Sequence, residues 1–557
     1  PWILTEIENG LGKTTTLEYG SSIDEMLEAK AAGTPWTSTA PMVVHIVKRM
    51  TETDNLNVFG HGPRTYVTEY SYRDPVYDGR QREFRGFREA TSTSFGDANS
   101  PTSHARSEFL LGECRYADGS ECAPEDQTFD NPNEALKGLT VLSESYDDQG
   151  VYLGTSHTGY TLRRLYQGLD GRAVGYAFAS ATTGWTYNTS NPSVFASTGS
   201  AAMATVTVDD ATGGAAWAPA LSWPVTLRAT SGTVRTEGAN EVDDFGNAVR
   251  SIAKGCVSGC PAGGTDDVIE QVTDSELLPH GSGWLWRTTH TYTTSRDFPA
   301  RRNETNTSYT AEGNPYSVTT VLSGTEALQR SHEDGAAVAP TPGDAVSDSA
   351  ALFVSQAEYD VFGNTIRTLA PANRCVDLVY DALYGQLVEE ELMYPGGCPS
   401  TRDLDNLPAD ALYTAAVYDR GLEAVTFATD VSHQLTQAKY DGLGRITQVF
   451  RSEPGAATLS TTPAVEISYH LVPSGKAFSY VYTKSQDGQQ TSSTDYQESY
   501  AFVDGMGRAL VSFTEADPSA LDEGSWIAGG FVDYDAKGAV SKKYLPKFWN
   551  SDPATYD

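Results

Sequence analysis

Tyr440-Asp441-Gly442-Leu443-Gly444-Arg445, running on into Ile446-Thr447-Gln448-Val449-Phe450, spells a β-hairpin turn. Asp at the first turn position can accept hydrogen bonds from backbone N–H groups two residues on, and Gly three residues later takes a left-handed conformation at little steric cost. A four-residue reversal of this kind suits a type I turn closing on a Gly bulge. The Tyr ends the incoming strand and the Arg begins the outgoing one.

The phrase recurs on both sides. Val242-Asp243-Asp244-Phe245-Gly246-Asn247 and Tyr359-Asp360-Val361-Phe362-Gly363-Asn364 precede it, and Val503-Asp504-Gly505-Met506-Gly507-Arg508 and Tyr534-Asp535-Ala536-Lys537-Gly538 follow. Degenerate copies stand at Tyr380-Asp381, where Gly385 comes one residue late, and at Tyr418-Asp419, where Gly421 comes early. Tyr359 to Tyr380 spans 21 residues and Tyr418 to Tyr440 spans 22, and longer gaps elsewhere mark insertions. One hairpin cannot bury its own face, so stacked copies have to join into a continuous strip of sheet. A strip of that kind makes a wall, not a pocket.

Strand patterning extends beyond the repeats. Tyr66, Thr68, Tyr70 and Tyr72 alternate on one face, as do Trp284, Trp286, Thr288, His290 and Tyr292. One helix is expected, from Ser22 to Ala32 before Gly33 and Pro35. With 39% apolar and 10% aromatic residues, 30 of them Tyr, the 557-residue chain is globular and not an unfolded acidic polymer. Its net charge of -34 repels phosphate backbones and anionic lipid, which excludes nucleic acid as an expected partner. No apolar run reaches the roughly 18 to 20 residues that span a bilayer. The start at Pro1, without a signal-peptide pattern, reads as a fragment or processed product, with any export signal upstream.

Six cysteines fall into three sequence-local pairs, Cys114 with Cys122, Cys256 with Cys260, and Cys375 with Cys398. Even, close pairing suggests loop-stapling disulfides and an oxidising compartment, whereas a zinc site wants Cys-x2-Cys or nearby His. Asn188, Asn303 and Asn306 are glycosylation sequons in a secreted chain.

The repeats resemble the YD repeats of RHS proteins, whose members wind a β-sheet strip into a closed shell. Pro1-Trp2-Ile3-Leu4, Ile7-Glu8-Asn9-Gly10-Leu11-Gly12, Thr14-Thr15-Thr16-Leu17-Glu18-Tyr19 and Ala31-Ala32-Gly33-Thr34-Pro35-Trp36 are similar to the opening of the middle region in the B component of insecticidal toxin complexes. The phrase Tyr77-Asp78-Gly79-Arg80-Gln81-Arg82-Glu83-Phe84-Arg85-Gly86-Phe87 is similar to it too. The resemblance covers residues 1 to about 95, and 240 to 557 through the repeats. It implies an all-β fold of YD-repeat hairpins stacked into a long curved strip, forming a hollow shell or part of its wall. A middle-region-like part over residues 1–235 and a repeat strip over 236–557 are expected. The implied role is non-enzymatic: a secreted or cell-surface encapsulating shell that sequesters and helps deliver a C-terminal toxin cargo, without a cofactor. The implied partners are the rest of the shell-forming polypeptide or a C-type component. The alternative is an extracellular adhesion or glycan-binding scaffold. The family's β-propeller, self-cleaving Asp-Pro-x-Gly region and variable toxin are not in the sequence, and Asp517-Pro518 and Asp552-Pro553 lack the Gly that would bring proteolysis to them.

Catalytic patterns are imitated without being completed. Gly10-Leu11-Gly12-Lys13-Thr14 ends like a P-loop, yet position 7 is Ile and Thr14 to Thr16 favour a strand, so Asn9-Gly10 reads as a hairpin turn. Gly154-Thr155-Ser156-His157-Thr158-Gly159 has its second Gly too late for a nucleophile elbow and reads as a polar turn. Glu389 and Glu391 share a strand face by simple alternation. The nine His lack zinc spacing and read as half-exposed. Asp147-Asp148-Gln149-Gly150 and Asp209-Asp210 could hold calcium only with help from backbone carbonyls.

Overall fold

The computed structural model describes residues 3–57, 62–116, 120–123, 125–127, 131–187, 201–210, 220–226, 234–260, 268–277, 286–295, 302–323, 349–453, 458–472, 476–487, 492–517, 519 and 522–556. Trp284 and Asn188 lie outside them; Asn303 and Asn306 fall within the strand Arg302–Tyr309. Among the described residues, 31 strands belong to one sheet, and Val532–Tyr534 with Val540–Lys543 forms a separate hairpin. Strands adjacent in sequence are adjacent and antiparallel almost throughout, as in Thr14–Ser21, His45–Thr53, Thr65–Asp78, Glu83–Ser94 and Ser103–Leu110. One parallel contact interrupts this meander, where Ala201–Asp210 lies beside Tyr152–Gln167 with Val206 opposite Tyr160. Val234–Val242 pairs with Ala173–Thr186 on one side and Ala248–Ser258 on the other, so the sheet is continuous through position 235/236.

The helix runs from Ser22 to Ala31. Ser21 and Asp24 form a reciprocal capping box at its start, satisfying two otherwise orphaned N–H groups.

Each repeat phrase closes a hairpin in the same way. Asp441 Oδ1 accepts from Leu443 N at 2.9 Å and Arg445 N at 3.0 Å, Asp441 N donates to Arg445 O, and Gly444 N donates to Asp441 O. Gly444 has φ +77°, and the strand register slips by one residue at Lys439/Tyr440, which is the Gly bulge. The same pair of backbone bonds closes the turns at Asp243, Asp360, Asp504 and Asp535, with Gly246, Gly363, Gly507 and Gly538 at φ +87°, +87°, +81° and +78°.

A second interaction joins one hairpin to the next. In five hairpins the Tyr before the turn donates its hydroxyl to a carbonyl one or two residues past the preceding turn on the same edge. Tyr359 reaches Pro315 O at 2.6 Å, Tyr380 reaches Thr365 O at 3.1 Å, Tyr418 reaches Val388 O at 2.8 Å, Tyr440 reaches Val425 O at 2.7 Å, and Tyr534 reaches Ala509 O at 2.8 Å. Each such bond contributes about 1 kcal/mol net. Their regular spacing fixes how successive hairpins lean on one another.

The strip is a single layer over most of its length, so most strand residues are half-buried on both faces. Fully buried clusters form only where a loop or a second stretch of strip covers it. Leu110, Leu136, Val141, Leu142, Leu162 and Val206 make one such cluster, and Phe478, Phe502, Val511, Phe513 and Phe531 with Leu56 make another.

Replacing Gly444 by Val forces a β-branched residue to φ +77° and should cost about 1–3 kcal/mol. Replacing Gly442 by Ala, where an added Cβ meets nothing within 4 Å, should leave thermal unfolding unchanged. Equal Tm values for the two variants would show that the left-handed turn carries no stability.

Candidate functional site

The distinctive site is a seam where two edges of the strip meet. Connections in a meander alternate between edges, so the loops at 9–13, 54–64 and 95–102 share one edge and the turns at 360–364, 381–387, 419–423, 441–445 and 504–508 share the other. Turns on the second edge touch in sequence: Asn364 Nδ2 donates to Gly385 O at 2.6 Å, and Arg420 Nη1 donates to Asp381 at 2.6 Å.

The strip curves until the turn at 504–508 sits on the first edge. Asn9 Nδ2 donates to Gly505 O at 2.7 Å, across 496 positions of sequence. The two backbones approach so closely that only Gly fits: a Cβ on Gly505 would lie 2.3 Å from Lys13 N, and one on Gly12 would lie 2.4 Å from Ala477 O. Arg508 is the polar centre of the contact. It donates to Asp504 Oδ2 at 2.6 Å within its own turn, and across the seam to Tyr66 Oη at 2.6 Å and Asp54 Oδ2 at 3.3 Å. Its guanidinium lies over the rings of Tyr534 and Tyr66, 4.2 and 5.0 Å from their centroids, which adds cation–π attraction. Burial opposes the charge, but hydrogen bonds to Tyr66 and Asp504 outweigh it and hold the guanidinium pKa above its usual value. Both carboxylates are buried, Asp54 at 1% and Asp504 at 2% exposure, so losing Arg508 would strand charge away from water.

Further contacts extend the seam in both directions. Arg64 pairs with Asp533, Asp97 accepts from Ala536 N at 2.9 Å, and Lys537 Nζ donates to Ser103 Oγ at 2.7 Å. Beneath them Leu56 enters the aromatic cluster of Phe478, Phe502 and Phe513.

Several turns of the repeat type carry no complete phrase. At 310–314 Thr310 replaces Asp, and at 430–434 His433 takes the left-handed position at φ +58°. Gly168 stands in the Asp position of the turn closed by Gly171 at φ +82°. Tyr146-Asp147 with Gly150 does match the phrase. Asp147 Oδ1 accepts from Gln149 N and Val151 N, and Gly150 has φ +76°. That carboxylate caps a hairpin as the repeat turns do. Asp209 and Asp210 are engaged by Arg163 and Arg164. Among the described residues, no group of three or more His, Cys, Asp or Glu is placed to hold a metal ion.

Asn9-Gly10-Leu11-Gly12-Lys13 is a hairpin turn, with Asn9 Oδ1 accepting from Leu11 N and Lys13 N. Gly154 to Gly159 is not a turn: it lies inside the 16-residue strand Tyr152–Gln167, because both flanking residues continue the alternation. His157 there is 8% exposed, not half-exposed, and burial lowers its pKa. Glu389 and Glu391 alternate along Val388–Met393, and Glu389 lies 3.8 Å from Arg420. Disulfides join Cys114 to Cys122, Cys256 to Cys260 and Cys375 to Cys398. The first closes a loop beside Arg88, which binds Glu113 at 2.5 Å and Glu121 at 3.2 Å.

Recurrent Asp-x-x-Gly turns, several of them preceded by a Tyr whose hydroxyl ties one hairpin to the next, join an antiparallel strip of the kind that RHS-type proteins have. It resembles the middle and YD-repeat region of the B component of insecticidal toxin complexes. Residues 1–113 match the family described as the insecticide toxin TcdB middle/N-terminal region. The fold matches the crystal structure of TcdB2-TccC3 with a TM-score of 0.68 at 16% identity, covering 98% of this chain and 31% of that one. A Tc holotoxin pore from Photorhabdus luminescens matches with a TM-score of 0.68 at 14% identity, over 98% of this chain and 33% of that one. The chain therefore spans about a third of the length of these structures. A comparison with curated protein sequences finds no match.

Turn carboxylates set a pH limit on this architecture. Asp381 is held well below the usual carboxylate range by the Leu387 N–H, the Arg420 guanidinium and the Tyr384 N–H. Arg445, through its side chain and its backbone N–H, lowers Asp441. A folded pKa below the unfolded value of about 3.9 stabilises the protein above that pH, and the contribution is lost as pH falls through the folded pKa. Tm of the wild type should therefore drop steeply below about pH 4. Asp381→Asn should have a lower Tm at pH 7 and a shallower acid drop. Parallel Tm–pH curves for the two proteins would show that Asp381 does not contribute.

Proposed function

We propose that this chain is wall: a non-catalytic part of a secreted, toxin-type RHS shell that sequesters a C-terminal cargo and helps deliver it. The observation that carries this reading is the seam. Residues 434 to 496 positions apart in sequence are bonded edge to edge, so the strip closes upon itself by stacking its own margins instead of filling a core. A sheet that is half-buried on both faces along most of its length supports the same reading, because a filled globule would bury one face. The fold shared with TcdB2-TccC3, and the match of residues 1–113 to the TcdB middle region, support partnership with a C-type component and with the remaining shell.

In one concave place ionic groups pair with one another. Arg85 is buried between Asp78 and Glu134, each at 2.6 Å, beside a cavity of about 80 Å³ near Cys114. Such a space holds a few waters, and its charges are already matched.

The test is cargo protection. The chain is assembled with a C-type component carrying its C-terminal segment, and protease is added. The segment should stay intact in the wild-type assembly and be digested when the seam is opened by Gly505→Ala together with Arg508→Met. Digestion at equal rates in both assemblies would overturn the wall role.

A further inference from the structure

One ion cluster in the sheet is out of balance. Arg106, on the strand Ser103–Leu110, is bonded by a carboxylate of its own strand and by one from the strand on either side. Its Nη2 donates to Glu89 Oε2 at 2.9 Å and to Glu108, and its Nη1 donates to Glu144 Oε2 at 2.7 Å. The strand register forces this crowding. Glu89 stands directly opposite Glu108, and Arg106 directly opposite Glu144, while a separation of two residues puts Arg106 and Glu108 on one face. Like charges directly opposite each other across a ladder repel, and here both lean on the same nitrogen. A single guanidinium answers one of three negative charges. Glu144 is 2% exposed, and its Oε1 accepts no hydrogen bond among the described residues.

The other ionisable groups around the cluster do not make up the difference. Arg73 stands opposite Glu89, but its guanidinium donates to Thr34 O at 2.7 Å. His157 lies in the same row beyond Leu142, and burial lowers its pKa and so favours its neutral form. In the row on the far side of Arg106, His104 shares a hydrogen bond with Thr93 and stacks on Tyr146, whose pKa burial raises. Arg88 and Arg115, which border a cavity beside Glu108, are held by Glu113, and Arg88 also by Glu121.

We propose that the Glu89 and Glu108 pair is a proton-binding site that tightens this part of the sheet in mild acid. One proton on Glu108 ends the repulsion across the ladder and leaves the guanidinium to Glu89 and Glu144. Burial raises the Glu108 pKa; Arg106 opposes the rise, and the charges of Glu89 and Glu144 add to it. A folded pKa above the unfolded value of about 4.3 gives a contribution that is fully present below that pH and is lost as pH rises through the folded pKa. The turn carboxylates have the opposite sign, so the two together make the sheet firmest in mild acid. This inference needs only the sheet and stands apart from the question of cargo.

Glu108→Gln and Glu89→Gln each remove one charge of the pair while keeping an oxygen for Arg106. Tm and hydrogen–deuterium exchange over residues 103–110 and 139–147 are measured on the whole 557-residue chain at about pH 8 and about pH 5. At about pH 8 each variant should melt higher than the wild type and exchange about twofold or more slower in these strands. At about pH 5 both differences should shrink toward zero, because the wild type then carries the proton. Contributions from His157 and the turn carboxylates are common to the proteins compared and cancel in the difference. If one variant does not fold, the other decides. Differences of the same size at both pH values would overturn the proton site and leave a fixed ion network, and folded variants less stable than the wild type at about pH 8 would overturn it too.

Discussion

Everything in this protein depends on one turn carboxylate. Asp at the first turn position takes two backbone N–H groups that the reversal leaves without ladder partners, and the Gly three residues later supplies the left-handed step that returns the chain in register. Asp–Gly turns recurring along one edge of the sheet keep that edge short and regular where they stand. Tight turns bring the Tyr of one hairpin within reach of a carbonyl just past the turn before it. The strip therefore grows by repetition of a local unit, and its curvature accumulates without a central core to enforce it.

That mode of growth explains the energetics. A single-layer sheet buries each residue partly, so stability is spread thinly along the strands and concentrated where something covers them. Among the described residues the two largest well-covered regions are the patch around Leu142 and Leu162 and the aromatic cluster that Leu56 joins from the far end of the sequence. The second is the underside of the seam. Arg508 crosses it with two buried carboxylates and two Tyr rings, a contact whose loss leaves charge in an apolar place. The contact between the two edges thus rests on a few residues.

Much of this was legible in the sequence because the governing chemistry is local. Asp441 with Gly444, and their counterparts at 360, 504 and 535, announce both the turn and its bulge. Alternation from Tyr66 to Tyr72 announces a strand, and Gly33 and Pro35 mark where a helix over Ser22 to Ala32 must end. Copies in which one element of the phrase is replaced were not legible: Thr310 for Asp and His433 for Gly keep the geometry while removing the letters. Asp147 carried the letters but was read for its oxygen ligands. The seam was hidden for a different reason. Gly505 and Gly442 both stand in an Asp-Gly-x-Gly-Arg phrase, and only the path of the whole strip decides which one meets another backbone. His157 was misjudged because the strand around it is covered by the loop and strands near Leu142, a tertiary fact.

Small-angle X-ray scattering of the purified 557-residue chain tests the wall most directly. A filled globule of this length has a radius of gyration of about 24 Å. A curved, coiled wall should give a clearly larger value, a distance distribution weighted toward long vectors, and minima fitted by a hollow body. A radius near about 24 Å with the distribution of a solid particle would contradict it.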